Sequence, residues 1–127
     1  KSAAEHVADS NRDRWTIIQI ETAEAVDCVE GIASVDGVDC LFVGPSDLSN
    51  NLGKPGNPMD PHVLKAIERI ASAAKANGKS WGVLSKTEDF ALKCRELGCQ
   101  LFSIAGDLDY VNRGISATKL LFPSFFK

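Results

Sequence analysis

The sequence predicts an α/β fold in which parallel strands alternate with helices, and three observations carry that reading. Four short apolar runs recur along the chain, and each is followed by a stretch with helical apolar spacing. Glycines stand where the helical stretches must stop. Apolar residues make up 44% of the 127 residues, enough for a real core in a chain whose length fits one compact domain. The expected organisation is a single domain over residues 1–127, with 1–14 a leader or short helix and 15–127 four β/α units.

Trp15 to Glu21 reads as a buried strand, because Trp-Thr-Ile-Ile-Gln-Ile is rich in β-branched and aromatic residues. Ala23 to Ala33 then places Val26, Val29, Ile32 and Ala33 at helical spacing, and Gly37 breaks the chain. Cys40-Leu41-Phe42-Val43 is the second strand. Gly44 to Pro58 is rich in Gly, Pro and Asn, and is expected to be a long irregular loop. Asp60 is a helix cap with Pro61 at the first helical position, and Val63, Ile67, Ile70, Ala71 and Ala74 give that helix one apolar face up to Gly78. Trp81 to Leu84 is the third strand, and Ser85-Lys86-Thr87-Glu88 reads as a capping box opening a helix that ends at Gly98. Leu101 to Ile104 is the fourth strand, Gly106-Asp107 a turn, and Leu108 to Leu120 the last helix ahead of Phe122-Pro123.

Parallel neighbours need a crossover, and the crossover helix must bury its apolar stripe on the sheet. Two architectures satisfy this pattern. An open doubly wound sheet can use four strands, whereas a (β/α)8 barrel needs about eight strands and roughly 250 residues.

A formal net charge of −3 with interspersed signs provides neither a basic stripe for nucleic acid nor a polybasic patch for a membrane surface. Small-molecule or protein partners are favoured. Cys28, Cys40, Cys94 and Cys99 form no CxxC pair and no zinc-like spacing, so they read as buried thiols of a reducing compartment. No apolar signal region opens the chain, and no run approaches the roughly 18 apolar residues of a membrane helix. The expected location is cytoplasmic.

Glu21 and Asp47 stand just past the carboxyl ends of the first two strands, the end where α/β folds of both kinds place ligands. Two hard carboxylate oxygens with no nearby His or Cys suit magnesium or manganese, which keep open positions for water and substrate oxygens. Cobalt is a third option. Trp15 and Trp81 read as interior packing rather than stacking platforms. His6, in the polar leader, and His62, at the start of a surface helix, read as ordinary surface residues, as do Arg12 and Arg14. Lys54, Lys79 and Lys86 read as solvated, with Lys54 placed in the mouth loop where it can steer an anion.

The strings Gln19-Ile20-Glu21-Thr22, Gly37-Val38-Asp39, Leu41-Phe42-Val43-Gly44-Pro45-Ser46-Asp47-Leu48-Ser49 and Leu52-Gly53-Lys54-Pro55-Gly56-Asn57-Pro58 occur in order. Together with Gly78-Lys79, Gly82-Val83-Leu84 and Leu97-Gly98, they resemble the class II pyruvate aldolases of the HpcH/HpaI family. The resemblance covers nearly everything after about residue 12. It implies a (β/α)8 TIM-barrel fold, of which this chain holds the last four β/α units. It also implies a divalent ion on Glu21 and Asp47, keto-acid contact from Gln19, a backbone amide of Ser46 on the substrate carboxylate, and an apolar substrate contact from Leu84. The implied reaction is reversible cleavage of a 4-hydroxy-2-oxo acid to pyruvate and an aldehyde, in a homo-oligomer. The family's general-base His and its substrate-gripping Arg belong to the half not seen here. The alternatives are a related acyl-CoA lyase, which would need a basic surface, and a non-catalytic half barrel that completes itself with a partner chain.

Overall fold

The computed structural model describes residues 1–126. Strands β1 (Ile17–Ile20), β2 (Cys40–Val43), β3 (Ser80–Leu84) and β4 (Leu101–Ser103) form one parallel sheet in chain order. A doubly wound sheet reverses its strand order at a switch point, and this one does not. Winding is thus of the single, barrel-like kind.

Between the strands lie α2 (Ala23–Asp27), α3 (Val29–Ala33), α4 (Pro45–Asn51), α5 (Pro61–Ala76) and α6 (Glu88–Glu96); α1 (Ala3–Asp13) precedes them and α7 (Asp107–Leu121) follows. Strand register sorts side chains onto two faces, since successive residues point oppositely. Ile20, Val43 and Val83 lie side by side and are fully buried, as are Leu41 and Trp81 one pleat earlier. These pack against Val29, Val63, Ile67, Ile70 and Phe90 to form the core between the sheet and its helices. The opposite row, Gln19, Phe42, Gly82 and Leu101, has no helix layer over it. There Gln19 is exposed, and Phe42 and Leu101 are half-buried.

The longest helix, α5, forms as its sequence predicts: Asp60 accepts from the His62 N–H, Pro61 occupies the first turn, and all five expected apolar residues are buried. Gly78 ends it at φ +65, a backbone state that L side chains rarely adopt.

Four expectations need correction. The Gly44–Pro58 stretch is not irregular throughout, because α4 occupies its first half. Pro45 presets φ for a first turn, Leu48 and Ser49 are buried, and the Ser49 hydroxyl donates to the Ser46 carbonyl at 2.9 Å. Trp15 is 73% exposed, not core, because it precedes an edge strand and no layer covers that end; Trp81 is core as expected. The 23–33 helix breaks at Cys28, whose ψ of 7° leaves the helical range, and Cys28 is exposed while the other three thiols are buried. Ser85 does not form a capping box, since its hydroxyl donates to the Thr87 carbonyl at 2.7 Å and its N–H to the Ser103 carbonyl at 2.8 Å. Thr87 is the N-cap instead.

Helices α1 and α7 contain no buried residue. Helix α1 closes on a Ser2 and Glu5 capping box and on Arg12 pairing with Asp9 and Asp13, so local bonds alone hold it. No helix among the described residues is long and apolar enough to cross a membrane.

Candidate active site

Glu21 follows the last residue of β1 and precedes Thr22, whose hydroxyl accepts from the Ala25 N–H at 3.1 Å and caps α2. The carboxylate is thus set at a strand-to-helix corner with a defined exit. On the neighbouring strand, Val43 pairs with Ile20, and the Gly44 N–H donates to the Ile20 carbonyl at 3.2 Å. Gly44 then starts α4, which puts Asp47 in its first turn, where free N–H groups and the helix dipole favour a carboxylate. A further bond ties the two corners together, from the Ala23 N–H to the Asn51 side-chain oxygen at 2.7 Å. Both acidic residues therefore lie beyond the carboxyl ends of adjacent paired strands, Glu21 directly after β1 and Asp47 in the first turn of α4.

Gln19 lies two residues before Glu21 on the same strand face, and its amide nitrogen donates to the Glu21 carboxylate. Ser46 is exposed at the second position of α4, and its N–H has no partner within that helix. Leu84 ends β3, half-buried, beside Ser103. Glu21 is half-buried, and Gln19 and Asp47 are exposed.

Gly44, which opens the stretch expected to be a loop, lies against the Glu21 and Gln19 side chains. A Cβ there would stand 2.8 Å from a Glu21 carboxylate oxygen and 2.9 Å from the Gln19 amide nitrogen. Its φ of −91° is open to any residue, so space, not backbone freedom, demands glycine. Thr22 and Asn51 are positioning residues too, and Thr22, immediately before a helical pattern, has a cap signal in the sequence.

Several residues weighed from sequence stand elsewhere. Lys54 pairs with Asp60 at 3.5 Å, at the start of α5. His62 is exposed on α5, and His6 is exposed on α1. Among the described residues no group of three or more His, Cys, Asp and Glu converges as a metal cage. Two carboxylates beyond the ends of adjacent strands, with no His or Cys beside them among the described residues, suit an ion that keeps most of its shell for water and substrate, the habit of magnesium and manganese rather than zinc.

A model of the HpcH/HpaI aldolase/citrate lyase family matches residues 3–113. The 5-keto-4-deoxy-D-glucarate aldolase of Shigella boydii serotype 18 is 40% identical over 126 residues, covering 99% of this chain and 48% of that protein. An HpcH/HpaI aldolase/citrate lyase family protein from Burkholderia cenocepacia J2315 superposes with a TM-score of 0.80 at 34% identity, over 97% of this chain and 47% of that one. The HpcH/HpaI aldolase of Desulfitobacterium hafniense DCB-2 gives 0.76 at 31% identity, over 94% and 48%. The chain thus spans about half the length of the relatives it matches, and its fold is of the (β/α)8-barrel type, represented by four β/α units. With residues 3–113 matched by the family model, the chain belongs to the HpcH/HpaI aldolase/citrate lyase family.

Proposed function

We propose that the intact protein is a metal-dependent aldolase that reversibly cleaves a 4-hydroxy-2-oxo acid to pyruvate and an aldehyde. The observation that carries this reading is the placement of Glu21 and Asp47 at the carboxyl ends of neighbouring strands, with Gln19 bonded to one of them. These two carboxylates would hold magnesium or manganese, with cobalt as a third option. A divalent cation bound there would supply Lewis-acid stabilisation for the negative charge that builds on the keto oxygen as the C–C bond breaks.

The chain's own residues do the rest of the positioning. Gln19 orients the Glu21 carboxylate and faces the bound keto acid. The Ser46 N–H donates to the substrate carboxylate, which fits its lack of a partner within the helix. Leu84 provides an apolar wall. The bond between C3 and C4 breaks, its electron pair passes to the enolate of pyruvate, the C4 hydroxyl loses its proton as the aldehyde forms, and C3 is protonated. The family resemblance assigns that proton transfer to a His, and the grip on the keto acid to an Arg, from the other half of the barrel.

We place the enzyme in the reducing cytoplasm, in keeping with three buried free thiols. It is also proposed to be a homo-oligomer, because Leu120, Leu121, Phe122 and Phe125 are exposed. A monomer on sizing chromatography would remove the oligomer reading. For the reaction itself, Glu21→Gln and Asp47→Asn are each expected to lower divalent-dependent pyruvate release by about 10²–10³-fold, the scale of losing one key electrostatic group. Unchanged turnover in either folded variant removes the assignment.

A further inference from the structure

Asparagine is a weak helix former, because its short amide competes for nearby backbone groups, and one that closes a helix can bond outside it. Asn51 closes α4, and its side-chain oxygen accepts from the Ala23 N–H at 2.7 Å, across 28 residues of chain. Ala23 is the first residue of α2, so its N–H has no partner inside that helix. The Thr22 hydroxyl caps the Ala25 N–H, and Asn51 supplies the acceptor that Ala23 would otherwise take from water.

This bond joins the two segments that carry the acids. Backbone pairing locks β1 to β2 as far as Ile20 and Val43, and the Gly44 N–H adds one more bond to the Ile20 carbonyl. Past that point Glu21 and Asp47 leave the sheet on separate segments. Among the described residues, the Asn51 bond is the one hydrogen bond between residues 21–28 and residues 44–52. Asp47 and Asn51 stand four apart on α4, one turn along the same face. Ala23 stands two residues after Glu21. A hold on Asn51 thus fixes the face that carries Asp47 relative to the corner that carries Glu21.

We propose that Asn51 is a positioning residue that sets the separation of Glu21 and Asp47, and through it the size of divalent ion the pair accepts. The inference rests on the metal-binding reading of those two acids. Magnesium demands near-ideal octahedral geometry with oxygens at about 2.0–2.1 Å, whereas calcium takes irregular shells at about 2.3–2.6 Å. Carboxylates held at one separation discriminate by ion size, and a pair free to drift loses that discrimination. Water can satisfy the Ala23 N–H when Asn51 is replaced, so the fold should tolerate the change, but water cannot hold α4 to α2.

The test titrates manganese(II) into the intact protein, follows the free ion by electron paramagnetic resonance, and then displaces the bound ion with magnesium or with calcium. Wild type should release manganese to magnesium at lower concentration than to calcium. Asn51→Leu, close in volume but without an acceptor, should weaken manganese binding by about tenfold, the scale seen when a group that orients a metal ligand is lost, and should bring the two competitors together. Asn51→Asp keeps an acceptor for the Ala23 N–H and should keep the preference for magnesium, since its added charge favours both ions alike. Hydrogen exchange of the Ala23 amide should quicken in Asn51→Leu and stay slow in Asn51→Asp, which reports the tie with no ion present. Asn51 is exposed, and circular dichroism would verify that both variants stay folded. The proposal is overturned by wild type that does not prefer magnesium, by Asn51→Leu with wild-type affinity and preference, by unchanged Ala23 exchange, or by Asn51→Asp behaving as Asn51→Leu does. If wild type takes up no manganese, or Glu21→Gln takes it up as wild type does, the metal-binding reading itself fails and this inference falls with it.

Discussion

Alternate residues of the same four strands build two unlike faces. On one, Ile20, Leu41, Val43, Trp81 and Val83 are buried under helices. On the other, Gln19, Phe42, Leu84 and Ser103 are exposed or half-buried, and Glu21 continues that row past the strand end. The first face trades water for packing, and any loss there is a loss of stability. The second carries Gln19 and Glu21 toward the strand end, polar side chains outside the core, and changes at those two should register in binding and turnover. A single residue of register separates the two outcomes.

Truncating the covered face should have the largest effect on the fold. Trp81→Ala removes a side chain that is 2% exposed and is expected to cost about 3–5 kcal/mol, read as a fall in denaturation midpoint. A loss below 1 kcal/mol would mean that the two faces are not so different.

Gly44→Ala sharpens the contrast from the other side. The added methyl meets the Glu21 carboxylate oxygen at 2.8 Å, the Gln19 amide nitrogen at 2.9 Å and the Glu21 Cβ at 3.1 Å, side-chain atoms rather than backbone, so the fold should survive while the carboxylate moves. Divalent-ion affinity should fall by about tenfold with little change in stability, the scale seen when groups that orient a ligand are disturbed. Unaltered affinity would remove Gly44 as a spacer for the site.

The smallest effect lies on the helix layer, where Arg69 of α5 reaches back to Glu30 of α3 and to Asp27. The guanidinium holds the Glu30 carboxyl down from 4.5 to about 2. A lowered folded-state value stabilises above the unfolded value, and that stabilisation disappears as pH falls through the folded one. The stability advantage of wild type over Glu30→Gln should therefore be full at neutral pH, shrink from about pH 4.5 downward and vanish near pH 2. Exposure keeps it modest. A pH-independent difference between the two proteins would refute the ion-pair origin.

What was legible in the sequence follows from how locally each feature is encoded. β2 occupies Cys40–Val43 as read, because four apolar residues between Asp39 and Gly44 leave little choice. α5 was legible for a similar reason, with a cap, a first-turn proline and a clean apolar stripe. α4 was hidden, because Pro45 and two asparagines make a composition that reads as loop, and only burial of Leu48 rescues the helix. Trp15 was misread because residue type says nothing about which strand lies at the sheet edge. Glu21 and Asp47 were legible as strand-end acids, but what singles them out among 17 acidic residues is the resemblance of their surrounding strings.

Manganese binding to the intact protein, followed by electron paramagnetic resonance of the free ion, tests the shared role of the two strand-end acids most directly. Wild type should take up one ion per chain at this site, and both Glu21→Gln and Asp47→Asn should lose that uptake while their circular dichroism stays native. Wild-type uptake in either variant would contradict the assignment.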